Sequence, residues 1–131
     1  MATVKLTVEN FEDVVASNDT VLIDFWAGWC APCMMFGPIY EAASEKYPDI
    51  VFGKVDTEDQ QALAGSFNIM SIPTLMVIRD QVVLYSQAGA LPESALTSLI
   101  DQVKAIDMEA VHREVAEQKA AAEQKVTAEQ S

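Results

Sequence analysis

The stretch Val21-Leu22-Ile23-Asp24-Phe25-Trp26-Ala27 constrains the fold of this chain more than any other. It is an almost continuous apolar run of strand length, as expected of a central strand buried on both faces of a sheet. The flanking segments supply what such a strand needs. Before it, Val4, Leu6 and Val8 alternate as in a half-buried strand, and Asn10 can cap a short helix that turns Phe11, Val14 and Val15 inward. After it, Cys30 to about Tyr47 reads as a helix with Cys33, Phe36, Ile39, Tyr40, Ala43 and Tyr47 along one side. Pro38 lies inside that helix, removes an amide and is expected to kink it.

Ile50 to Asp56 reads as another strand and Glu58 to Phe67 as a short helix. The loop Ile69–Pro73 leads to strands Thr74–Arg79 and Val82–Ala88, too close together for anything but a hairpin. Pro92 suits the first turn of a further helix, whose apolar stripe is Leu96, Leu99, Ile100, Val103 and Ile106. The order is therefore βαβαβα followed by ββα. Right-handed crossovers make the first half a parallel unit, and the hairpin adds antiparallel strands. Helices then cover both faces of the sheet. The composition changes at Asp107, where the last 25 residues hold six Ala, five Glu and three Gln. This predicts one domain over residues 1–106 and a helical or partly disordered tail over 107–131.

Half of the 131 residues are hydrophobic, enough for one core without disulfide or metal staples. The net charge of −12, from 20 acidic against 8 basic residues, argues against a nucleic-acid partner and against an anionic membrane surface. The N-terminus has no apolar secretory core, and no run is long enough to span a bilayer. The expectation is a cytoplasmic protein, where structural disulfides are rare. Two cysteines separated by two residues then read as redox or metal chemistry. Zinc asks for four ligands, and the chain has no other cysteine and one histidine, His112 in the tail, so only a site shared between two subunits would complete it. A Cys–His hydrolase lacks its core histidine.

Trp29-Cys30-Ala31-Pro32-Cys33 follows the buried strand and opens a helix. Unpaired amides and the macrodipole at a helix N-terminus stabilise an anion, so Cys30 should ionise more readily than a free cysteine. Cys33 lies in the first turn within reach of the Cys30 sulfur, and Pro32 is tolerated there because first-turn amides have no intrahelical partner. Asp24 is the second signal, a carboxylate inside an apolar run. Its position six residues before Cys30 favours proton handling; the alternative is a strand-end carboxylate accepting backbone hydrogen bonds. Lys54, in Phe-Gly-Lys-Val-Asp on the neighbouring strand, is either its partner or an ordinary snorkelling lysine.

Taken together, Phe11, Asp24-Phe25-Trp26-Ala27, Trp29-Cys30-Ala31-Pro32-Cys33, Pro38, Lys54, Ile72-Pro73-Thr74 and Gly89-Ala90 resemble the thioredoxin family over about residues 3–106. The resemblance implies an α/β thioredoxin-like fold, a central mixed five-stranded sheet flanked by four helices, here with a C-terminal helical extension. It implies a cis peptide between Ile72 and Pro73 beside the cysteine pair. Trp29, the Ile72–Pro73 backbone and the loop Ala88-Gly89-Ala90 would form an apolar groove for an extended client chain. It further implies a protein-disulfide reductase with a redox-active Cys30–Cys33 disulfide, no bound cofactor and no metal. Its partners would be client proteins with disulfides and a thioredoxin reductase that restores the dithiol with electrons from NADPH, and the chain itself would be a monomer.

Four departures from the family pattern stand out. Ala31 replaces the usual Gly in the dipeptide that tunes redox potential, and Met34 replaces the lysine common after the second cysteine. Gln81 takes the hairpin position usually held by Gly, so the turn is expected to carry some strain. The tail has no counterpart in the short forms of the family.

Overall fold

The computed structural model describes the backbone of residues 2–130 and side chains as far as residue 125. The elements run β1 (Thr3–Lys5), α1 (Phe11–Ser17), β2 (Thr20–Trp26), α2 (Ala31–Lys46), β3 (Val51–Asp56), α3 (Gln61–Ser66), β4 (Thr74–Arg79), β5 (Val82–Ala88), α4 (Glu93–Lys104) and α5 (Met108–Gln130). The strands form one five-stranded sheet in the order β1-β3-β2-β4-β5. β3 pairs parallel with β1 and β2, whereas β4 is antiparallel to both β2 and β5. This is the mixed sheet and the thioredoxin-like fold expected from the sequence, including a helical C-terminal extension.

The apolar run of β2 is central for the reason its composition indicates: both of its faces are covered. Successive side chains of a strand point to opposite faces. Val21, Ile23 and Phe25 join Leu6, Val55, Met76 and Ile78 in a buried cluster that α3 covers with Leu63 and Ala64, while Phe11 and Val14 of α1 and Phe67 pack against it. Leu22 and Asp24 turn to the other face, opposite Phe52 and Lys54 of β3 and Val77 and Leu75 of β4. There α2 supplies Phe36 and Tyr40, and the Tyr40 ring meets Phe52 edge-on at 5.2 Å between centroids. α4 lies beside the end of α2, tied by Lys46 to Glu93 at 2.6 Å and by the Tyr47 hydroxyl to Asp101 at 3.1 Å.

Several element ends differ from the sequence expectation, each for a local reason. The first strand stops at Lys5, and Val8 is 57% exposed in a turn. Asn10 closes that turn by accepting from the Thr7 amide at 2.7 Å and donating to the Lys5 carbonyl at 2.9 Å, so its side chain ties backward and makes no cap bond to α1. Leu6 is fully buried, and a Cβ on Gly53 would fall within 2.8 Å of Leu6 Cγ; the close approach of this segment to β3 needs the glycine. The helix expected from Glu58 begins only at Gln61, because Asp56 Oδ1 takes the amides of Glu58 and Asp59 into a turn at 3.0 and 3.4 Å. The hairpin turn Asp80–Gln81 has positive φ at both residues, 51° and 65°, the combination of a type I′ turn that suits strand twist and favours Gly or Asn.

By its internal contacts the chain divides into a unit ending at Asp101 and a unit beginning at Gln102. In the second, Ala105 and Ile106 donate to Gln102 and Val103, tightening the end of α4. Asp107 then caps a new helix, its Oδ1 accepting the amides of Glu109 and Ala110 at 3.0 and 3.4 Å. Along α5, Met108 is buried and Val111 half-buried, while the remaining described side chains are exposed. The extension is thus helical, but it is not solvated throughout. Residues 1 and 131, the outer ends of the two expected segments, lie outside the described residues. No helix among the described residues is long and apolar enough to cross a membrane.

Candidate active site

β2 ends at Trp26 and delivers the chain to Cys30 at the carboxyl end of the parallel strands, where open α/β sheets place their sites. Cys30 is the N-cap of α2: its φ of −92° and ψ of 107° are extended, and its carbonyl accepts the Met34 amide at 3.1 Å. Its sulfur accepts the Cys33 amide at 3.3 Å, the position a capping oxygen takes in an ordinary helix. Pro32 sits in the first turn, where it displaces no helical hydrogen bond. Cys30 and Cys33 form a disulfide with Cα atoms 5.2 Å apart. Both are nearly enclosed, Cys30 at 4% exposure and Cys33 at 1%, whereas Ala31 and Pro32 between them are exposed.

The antiparallel register pairs Phe25 with Thr74, bringing the loop before β4 to the same end of the sheet. The Ile72–Pro73 peptide is cis, and the Ile72 carbonyl oxygen lies 3.7 Å from the Cys30 sulfur. Thr74 steadies the loop by donating its hydroxyl to the Ser71 carbonyl at 2.6 Å. Gly89 closes the other side. Its amide donates to the Pro73 carbonyl at 2.8 Å with φ at 111°, a conformation that favours glycine.

Trp29, 71% exposed, stands beside Cys30 and donates its indole nitrogen to Glu58 Oε1 at 2.6 Å. With Ile69, Met70, Ile72 and the edge of α3 at Ala64 and Gly65 it lines a shallow groove. Met70 is 93% exposed, so the groove presents apolar surface to water. Glu58 was not singled out from the sequence. It lies 29 residues from Trp29, and only the β3–α3 turn brings the two together.

Asp24 is fully buried, and neither carboxylate oxygen has a hydrogen-bond partner. Burial pushes its carboxyl up to about 6, against the downward pull of Lys54. The strand-end reading, a carboxylate satisfied by backbone amides, is therefore not what the structure contains. Lys54 is directly opposite Asp24 in the β2–β3 register, half-buried, with its ammonium 4.9 Å from the centre of the Trp26 ring. It makes no hydrogen bond to Asp24.

Tyr40 belongs to the same region although its only sequence signal was its place on the inner side of α2. Its hydroxyl donates to the Gly53 carbonyl at 2.8 Å, and burial, then the Asp24 charge, push its phenol up. Among the described residues, no group of three or more His, Cys, Asp or Glu side chains is arranged to hold a metal ion.

Comparison with known proteins points the same way as this geometry. The sequence profile of the thioredoxin family matches residues 2–102. The chain is 59% identical over 121 residues to a protein described as putative thioredoxin 2 of Streptomyces coelicolor, covering 92% of this chain and 90% of that one. An alignment of that length takes in part of α5. It is 44% identical over 101 residues to thioredoxin C-2 of Corynebacterium nephridii, covering 76% and 94% of the two chains. Among solved structures, a mutant thioredoxin from Halobacterium salinarum superposes with a TM-score of 0.74 at 32% identity, over 80% of this chain and 93% of the other.

Proposed function

The chain belongs to the thioredoxin family, and from that premise we propose that it reduces disulfides of client proteins by a division of labour between Cys30 and Cys33. That it is a protein-disulfide oxidoreductase with a redox-active disulfide follows from the family and from the bonded cysteine pair. The observation that carries the assignment of roles is the N-cap position of the Cys30 sulfur, accepting the Cys33 amide. In the dithiol form that contact becomes a hydrogen bond to a thiolate, which is stronger than one to a neutral group.

The Cys30 thiolate attacks one sulfur of the client disulfide, and the other client sulfur leaves as a thiolate. A mixed disulfide now joins Cys30 to the client. Cys33 gives its proton to Asp24, directly or through a water, and its thiolate attacks the Cys30 sulfur. The client's second sulfur leaves, two electrons have passed to the client, and Cys30–Cys33 is oxidised. An acceptor with a proton affinity near neutral pH is suited to this step, and the burial of Asp24 supports that role. Trp29 and Ile72 line the groove, Pro73 and Gly89 hold the adjoining loop through the Gly89 amide and the Pro73 carbonyl, and extended-chain pairing at the Ile72 backbone gives breadth of client choice. Ala31 and Pro32 set the geometry of the first turn, and Lys54 modulates Asp24.

A thioredoxin reductase restores the dithiol with electrons from NADPH, and this chain itself needs no bound cofactor. Residues 1–106 form the working domain, with 107–131 an appendage not needed for the chemistry. The protein acts as a cytoplasmic monomer without nucleic-acid or membrane partners. The test is insulin reduction coupled to a thioredoxin reductase, followed as loss of NADPH. Turnover should depend on this chain and vanish with Cys30→Ser; no NADPH consumption above background by the unmodified chain would overturn the reading.

A further inference from the structure

A lysine directly opposite a carboxylate on a parallel strand pair has an obvious partner, and here it does not take it. Asp24 and Lys54 are register neighbours on one face of the sheet. Both Asp24 oxygens nevertheless lack a hydrogen bond, while the ammonium lies 4.9 Å from the Trp26 ring centre. Trp26 follows Asp24 by two residues on β2 and so projects from the same face. The ring therefore competes with the carboxylate for the same cation, and a ring face at this distance attracts it. α2 does not crowd that placement, since even a Cβ at Gly37 would lie 3.9 Å from the Lys54 nitrogen, an ordinary contact.

We propose that Trp26 is a positioning residue for the proton-transfer step: its ring holds the Lys54 ammonium off the Asp24 carboxylate and leaves that carboxylate free to take the Cys33 proton. The proposal rests on the reading of Asp24 as the proton acceptor. Were Lys54 to swing onto Asp24, the ion pair would favour the carboxylate and weaken its affinity for a proton. The other groups around Asp24 do not substitute for this control. Tyr40, from α2, has its hydroxyl committed to the Gly53 carbonyl and its phenol pushed up by burial, so it stays neutral. Leu75, opposite on β4, carries no charge. Cys33, at the start of α2, is the proton donor itself.

The experiment follows the Asp24 carboxyl carbon by NMR through a pH titration of the full-length reduced protein, with single and paired substitutions. Trp26→Leu should lower the Asp24 midpoint by about half a unit to one unit, and Trp26→Phe, which keeps a ring face, should restore most of it. Lys54→Met should raise the midpoint, and on that background Trp26→Leu should no longer lower it. An unchanged or raised midpoint in Trp26→Leu overturns the proposal. So does an equal fall with and without Lys54, since that would come from water entering the site. Should Trp26→Leu not fold, tetrafluorotryptophan in Trp29→Phe protein weakens the ring's attraction while preserving its shape. The midpoint should fall there too, and no change overturns the proposal. Failure of the acceptor reading shows separately, as unchanged resolution of a trapped mixed disulfide by Asp24→Asn, whatever the titrations give.

Discussion

The indole nitrogen of Trp29 donates to Glu58 Oε1 at 2.6 Å, fixing an otherwise exposed ring beside Cys30. The bond holds one wall of the proposed client groove in place, so less side-chain freedom is lost on binding. Glu58→Ala should raise KM for a protein disulfide by about two- to fivefold, the effect of one exposed polar contact, with kcat little changed. Glu58→Gln, which can still accept, should fall between. Steady-state insulin reduction measures both. A fall in kcat at constant KM would place Glu58 in the chemistry instead.

Asp24 links activity to stability. Burial pushes its carboxyl up to about 6 in the folded chain, about two units above an ordinary aspartate. The native state therefore binds the proton more tightly than the unfolded chain, and stability is lost as pH rises from about 4 to about 6. Above that range the penalty is fully present. Asp24→Asn removes it and should stabilise the protein at pH 7 by roughly 2–3 kcal/mol, with the gain vanishing near pH 3. Resolution of the mixed disulfide should slow in the same variant. Denaturant titration at the two pH values is the check, and a variant no more stable at pH 7 would contradict it.

Gln81 holds a φ of 65° in the hairpin turn, where its Cβ crowds the backbone at a cost of about 1–2 kcal/mol. Gln81→Gly relieves that crowding, while the greater freedom of glycine in the unfolded chain offsets part of the gain. The expected result is about 0.5–1 kcal/mol of added stability with unchanged reductase activity. The turn lies at the end of the hairpin away from Thr74 and the active site.

The sheet and the cysteine site were legible because each is written in contiguous residues. The uninterrupted Val21–Ala27 run implies burial on two faces, and Cys30 next to a helix-opening Pro32 implies a sulfur at an N-cap. What was not legible depends on residues that meet only after folding. The alternation of Val4, Leu6 and Val8 does not reveal that Asn10 bonds backward and ends the strand early. The choice of Lys54 between Asp24 and Trp26 turns on a diagonal across β2 and β3. Nothing in the spacing of Glu58 and Trp29 anticipates their hydrogen bond. Asp107 is a capping residue type, but the composition shift that begins there marks the tail as a whole and not the helix start that Asp107 makes.

Truncation after Asp107 separates the helical extension from the redox chemistry. The cysteines, Asp24 and the groove all lie before residue 102. Insulin reduction by the shortened chain should match that of the full chain within about twofold. Removing the buried Met108 should cost about 1–2 kcal/mol of stability. A folded truncated protein with no activity would show that α5 takes part in catalysis.

The central claim, that Cys30 attacks and Cys33 resolves, is tested most directly by trapping. Each single serine variant is incubated with a disulfide-bearing client, and the products are separated without reductant. Cys33→Ser should accumulate a covalent mixed disulfide through Cys30, and Cys30→Ser should form none at neutral pH. A Cys30→Ser protein that captures the client while Cys33→Ser does not would contradict the account.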